Sequence, residues 1–179
     1  YDNMAHKQDA NAYAKVDYEF LPRLSAYGDL QYRYVDYRMH GPTDTYSGKV
    51  QNSYDLNTSF SFLNPKVGIY WVLSPSHTLY GSYALAQKEP TRNDYEDNIY
   101  SAQPKSEKLN DFELGYKYLS STFSAGINLY YMLYKDQFVL TGQQNAIGEM
   151  IAKNIGDSYR SGIEFTAAWK PCPYFQWDG

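Results

Sequence analysis

Asp111 and Glu113 stand two residues apart, and Asp94, Glu96 and Asp97 crowd one short stretch; these carboxylates are the most obvious candidates for chemistry. A pair of carboxylates can cleave a glycosidic bond, and an acidic loop can hold Ca²⁺. The acidic stretch lacks the alternating spacing and the glycine of a calcium loop, so it reads as a solvated charged loop. Asp111 and Glu113 share their parity with Lys117, which reads as a set of charges on one strand face, pairing with each other. His6, His40 and His77 fall in three separate loops or turns without ligand spacing, so no metal site is expected. No Ser-His-Asp order, nucleophile elbow or phosphate loop occurs, so neither catalytic residues nor a cofactor are expected and the chain does not read as an enzyme. A single cysteine, Cys172, excludes an internal disulfide framework. A net charge of −4 without a basic stripe argues against nucleic acid as a partner.

Cations and tyrosines remain. Arg33, Lys88 and Arg92 could meet an anionic ligand through charge-assisted hydrogen bonds; the alternative is that they pair with nearby carboxylates. Tyr is the outlier of the composition, at 21 of 179 residues. Tyr46, Tyr54, Tyr95 and Tyr100 lie in polar stretches, where a tyrosine offers apolar area and a hydroxyl with little entropy to lose. Packing of loops against one another is the competing role for them.

The elements that would position these residues are strands. Phe112, Leu114, Tyr116 and Tyr118 alternate with Asp111, Glu113, Gly115 and Lys117. After a break at Ser120-Ser121, Phe123, Ala125, Ile127, Leu129, Tyr131 and Leu133 alternate with Ser124, Gly126, Asn128 and Tyr130 onward. Side chains on a strand point to opposite faces with period two. One face of this hairpin is therefore apolar and the other carries every charge. The arms approach the roughly 9–11 residues that a tilted strand needs to cross a bilayer, so the pattern reads as a transmembrane β-barrel hairpin. The same alternation runs from Ala12 to Phe20, from Leu24 to Tyr34, from Val67 to Leu73, from Leu79 to Leu85 and from Tyr159 to Lys170. Phe60 and Phe62 have the wrong parity for the strand that follows, which predicts a bulge or a strand start near Asn64-Pro65. Residues 1–10 show no pattern, and 39–57, 89–107 and 139–157 read as loops.

Short turns near 22, 75, 121 and 172 alternate with long connections near 48, 98 and 148, about fifty residues per hairpin. Short turns at one end and long loops at the other are the layout of an outer-membrane barrel. A sandwich would signal turns every 8–12 residues. A mean hydropathy of −0.64 fits, because a barrel keeps its interior and loops polar. No apolar run reaches the roughly 18 residues of a membrane helix. The expected fold is all-β: an antiparallel up-and-down meander of seven to eight strands forming part of a transmembrane barrel, with residues 1–179 as a segment of one domain. Val67, Ile69, Trp71, Leu73, Phe112, Leu114, Leu129 and Phe165 should face lipid; Asp17, Arg33, Glu113, Lys117 and Glu164 should face the interior. The chain opens Tyr1-Asp-Asn-Met4 without a secretion signal, so it reads as a mature chain or an internal piece. Alone, such a piece has unpaired edge strands and should oligomerise.

Several strings resemble the barrel of TonB-dependent outer-membrane receptors. They are Asn64-Pro-Lys-Val-Gly-Ile-Tyr70, Ser74-Pro-Ser-His-Thr-Leu-Tyr-Gly-Ser-Tyr83, Glu89-Pro-Thr91, Pro104-Lys-Ser-Glu-Lys-Leu-Asn-Asp-Phe-Glu-Leu-Gly-Tyr116 and Tyr159-Arg-Ser-Gly-Ile-Glu164. The likeness covers about residues 60–170. It implies a barrel of about 22 strands, of which this chain would be roughly a third. It further implies a plug domain, a TonB complex reached through regions outside this chain, and a bacterial outer-membrane location. Haem receptors of the family carry Phe-Arg-Ala-Pro and a loop histidine, whereas this chain reads Gln87-Lys-Glu-Pro90 and has no His between 89 and 107. The resemblance therefore implies import of a ferric siderophore or a similar small ligand. Arg92, Tyr95 and Tyr100, with Lys88 and Arg33, are the candidate ligand contacts. The alternative is a small closed barrel or a soluble β-sheet module binding carbohydrate or another ligand.

Overall fold

The structure, a computed structural model, describes residues 4–47, 50–97, 103–144, 148 and 150–179. In chain order these form β1 (Met4–Leu21), β2 (Leu24–Ser47), β3 (Val50–Ser74), β4 (His77–Lys88), the helix α1 (Arg92–Asp97), β5 (Glu107–Leu119) and β6 (Phe123–Lys135). There follow β7 (Phe138–Gln144), β8 (Met150–Asn154), β9 (Ser158–Cys172) and β10 (Phe175–Asp178). One antiparallel sheet runs β1-β2-β3-β4-β5-β6-β9-β10, and β7 with β8 forms a separate ribbon inserted between β6 and β9. The all-β antiparallel meander expected from the alternation is what forms. No helix among the described residues is long and apolar enough to cross a membrane.

Register decides which side chains share a face. Tyr18, Ala26, Ile69, Gly81, Leu114, Leu129 and Ile163 stand side by side across seven strands. Leu24, Trp71, Leu79, Tyr116, Ile127 and Phe165 make the row toward the short turns. Neither row holds a charge. The eight residues expected to face lipid lie on this side and are 41–69% exposed. On the other side one row reads Asp17, Tyr27, Gly68, Ser82, Glu113, Tyr130 and Gly162. Arg33, Lys117 and Glu164 share that polar face. Three cross-strand pairs on it set a tyrosine against a glycine: Tyr27 with Gly68, Tyr80 with Gly115, Tyr130 with Gly162. Each ring occupies the space a Cβ on its glycine would need, so the ring supplies the packing that the glycine lacks.

The short turns fall at 22–23, 75–76, 121–122 and 173–174, as the sequence pattern predicts. The other connections depart from it. Residues 4–10 belong to β1 and pair with 34–40 of β2. Much of the expected loop 39–57 is instead a ribbon, with Met39 opposite Leu56, His40 opposite Asp55, and a register shift only between Pro42 and Tyr46. The expected loop 139–157 holds most of β7 and all of β8, and α1 lies within 89–107.

No bulge forms at Asn64-Pro65; the β2–β3 register runs unbroken from Leu24–Trp71 to Pro42–Ser53. The Val72 amide donates to the Arg23 carbonyl, so even-numbered amides of β3 face β2 and the position of Pro65 faces β4. The β3–β4 ladder ends one residue short, at Lys66–Ala84, and proline's missing donor therefore breaks no bond. Beyond that point β4 leaves β3, and the Gln87 side-chain amide donates to the Leu63 carbonyl at 2.9 Å. Phe60 and Phe62 simply sit on the polar face, their rings 5.7 Å apart.

Candidate functional site

Near the long connections the polar face of β2 and β3 turns apolar. Val35, Tyr37 and Met39 of β2 and Phe62 of β3 are buried, Val35 completely. Such side chains on a water-facing surface need a cover. The segment leaving β4 provides one for Tyr37 and Met39.

Glu89 and Pro90 are buried. Glu89 Oε1 accepts from Lys7 Nζ at 2.8 Å and from Arg33 Nη2 at 2.9 Å, while Oε2 accepts from Arg33 Nη1 at 2.8 Å. The same guanidinium donates through Nε to both Asp9 oxygens at 3.1 Å. Two cations and two carboxylates thus form a neutral cluster joining β1, β2 and the end of β4. Glu89 is 8% exposed. Its burial opposes ionisation, but the bonds from Lys7, its own backbone and Arg33 outweigh that and hold the carboxyl below the ordinary glutamate value. A network of this kind fixes geometry more surely than it adds stability.

Thr91 then caps α1. Its amide and hydroxyl donate to Asp94 Oδ2 at 2.6 and 2.7 Å, and the Asp94 amide returns to Thr91 Oγ1 at 3.4 Å, the reciprocal arrangement of a capping box. The helix delivers Tyr95 onto Tyr37, ring centroids 6.2 Å apart, beside Met39 and Leu56. Burial first, then Tyr37, Asp94 and Glu89, push the Tyr95 phenol up to about 12. Farther on, Asn154 of β8 accepts from the Lys105 amide at 2.8 Å and donates to the carbonyls of Lys105 and Asp136. Glu107 accepts from the Phe138 amide at 2.8 Å. The chain entering β5 is thereby tied to the β7–β8 ribbon.

The candidate residues are placed unequally. Arg33 is engaged by Asp9 and Glu89, the pairing with neighbouring carboxylates that competed with ligand contact. Lys88 ends β4, exposed and opposite Glu107. Arg92 opens α1 and is exposed. Tyr95 faces the protein, 7% exposed. Tyr100 and the side chains of Tyr46 and Tyr54 lie outside the described residues. Sequence reasoning missed Lys7, Asp9, Glu89, Tyr37 and Met39; Thr91-Arg-Asn-Asp94 was a legible helix start, but nothing local pairs Glu89 with residues 56 and 82 positions away. Among the described residues no group of three or more His, Cys, Asp or Glu is placed to hold a metal ion.

A sheet with charge-free rows on one face, a polar face and all long connections at one end has relatives of known structure. The FrpB iron transporter from Neisseria meningitidis (F3-3 variant) superposes with a TM-score of 0.67 at 22% identity, over 94% of this chain and 24% of its own. The copper transporter OprC gives 0.78 at 17% identity, over 97% of this chain and 28% of its own. The ferric yersiniabactin uptake receptor FyuA from Yersinia pestis gives 0.73 at 16%, over 98% and 26%. The chain spans about a quarter of the length of these proteins. None of the curated proteins matches the sequence. A family model described as "TonB dependent receptor-like, beta-barrel" matches residues 1–179, the whole of the chain. With its strand order, its divided faces and that match in agreement, the chain belongs to the TonB-dependent receptor β-barrel family, a family of transport receptors and not of enzymes.

Proposed function

We propose that the chain is a segment of the barrel domain of a bacterial outer-membrane receptor that imports a scarce nutrient, a ferric siderophore complex, with energy relayed from a TonB complex. The observation that carries this reading is the family match over residues 1–179, on a sheet whose charge-free rows cross seven and six strands. In this arrangement the charge-free rows meet lipid, and the polar face meets a plug domain supplied by the rest of the protein. Iron is the cargo named for FrpB and FyuA, and copper for OprC, so the two metals are the comparison to make.

Ligand recognition falls at the long-connection end, where loops are carried on a rigid sheet. Exposed Arg92 and Lys88, with Tyr100, meet the anionic chelate. Tyr95 joins them only when α1 moves, and Arg33 contributes by holding Glu89. Deleting the full-length receptor should abolish growth on a ferric siderophore under iron limitation and leave copper-dependent growth intact. Arg92→Ala should weaken chelate affinity by on the order of tenfold, the loss of one charge-assisted hydrogen bond. Loss of copper uptake with iron uptake intact would overturn the cargo assignment.

A further inference from the structure

Part of the apolar patch on the polar face meets one segment. Toward the short turns that face carries Asp17, Glu113, Lys117 and Glu164, whereas at the other end Val35, Tyr37, Met39 and Phe62 are buried. Residues 89–97 belong to no strand, and within them Tyr95 packs on Tyr37 and Met39 of this patch. From these facts we infer that residues 89–97 form a releasable strap, and that Tyr37, Met39 and Leu56 are its seat.

Two chemically different anchors hold the strap. Glu89 is the electrostatic one, bound to Lys7 of β1 and Arg33 of β2. Tyr95 is the apolar one, lodged among Tyr37, Met39 and Leu56. Between them the backbone makes no ladder bonds, and α1 is six residues long, too short to be stable without its packing. Closing therefore draws on both anchors, and loss of either should loosen the segment. Opening uncovers an apolar surface beside Lys7 and Arg33 at the end of the sheet where the long connections lie.

Local opening can be read without any cargo, so the test stands apart from the transport reading. In the full-length receptor, Met39→Cys in a Cys172→Ser background places a thiol against Tyr95 where exposure is 3%. A membrane-impermeant maleimide should label it slowly. Adding Glu89→Gln, which keeps the shape and removes the charge, should raise the labelling rate by about tenfold or more, and Tyr95→Ala should do the same. Lys7→Gln, at a half-exposed partner, should give a smaller increase and serves if Glu89→Gln does not assemble. Heat-modifiable migration of the barrel checks that each variant is folded. Rapid labelling before any anchor is removed, or equal rates with both anchors removed in folded protein, would overturn the strap.

Discussion

Gly115 shows how far a single residue is constrained by its cross-strand partner. It is buried beneath the Tyr80 ring, which donates onward to Asn128 Oδ1 at 3.1 Å. A methyl at Gly115 would overlap the ring and either tilt Tyr80 out of that bond or push the strands apart. Overpacking of this kind costs about 1–3 kcal/mol. Gly28 sits on the opposite face with nothing within 4 Å of a Cβ, and alanine suits a strand better than glycine does. Gly115→Ala should therefore lower the unfolding midpoint of the intact receptor in urea, while Gly28→Ala leaves it unchanged or raises it. Tyr80→Ala should cancel most of the Gly115→Ala effect, because the penalty lies in the pair. Independent, additive losses would contradict the account.

At the scale of elements, the strap can be followed through its own titrations. Glu89 is held below its ordinary value of 4.5; a depressed carboxyl gives stability that is present above that value and lost as the pH falls through the lower one. Tyr95 is raised from 10.0 to about 12; its contribution is complete below 10 and lost as the pH climbs toward 12. The strap should thus stay closed from mildly acidic to mildly alkaline conditions and open at both extremes. The difference in tyrosinate absorbance between wild type and Tyr95→Phe should show one phenol ionising near 12, and a midpoint near 10 would mean that Tyr95 is not buried. How legible these elements were follows from how local their causes are. The alternation of Phe112 to Tyr118 against Asp111 to Lys117 reports period and face directly. The ribbon at 39–57 carries His-Gly-Pro-Thr-Asp, a turn composition, and is extended because β2 and β3 continue to satisfy each other's backbones out to Ser47 and Val50. Pairing overrides propensity there. Phe60 and Phe62 signalled an anomaly correctly, but the sequence offered a bulge where β3 runs on unbroken with both rings on the polar face.

For the whole molecule, the decisive property is that two neighbouring residues on one strand live in different media. Leu129 and Asn128 of β6 are adjacent, yet Leu129 stands in the charge-free row with Leu114 and Ile163, and Asn128 in the polar row with Gly115 and Glu164. If the first row meets hydrocarbon, arginine at 129 must carry its charge into the bilayer, at a cost of about 2–4 kcal/mol near the midplane. Arginine at 128 would face Glu164 and Tyr80 instead, where opposite charge and water are both available. A soluble sheet with an exposed apolar face predicts the reverse at 129, because removing a surface leucine there improves solubility. Leu129→Arg in the full-length receptor should therefore reduce the amount of folded, heat-modifiable barrel recovered from membranes, and Asn128→Arg should leave it close to wild type. Equal recovery of the two variants would place Leu129 in water and remove the lipid from its face of the sheet.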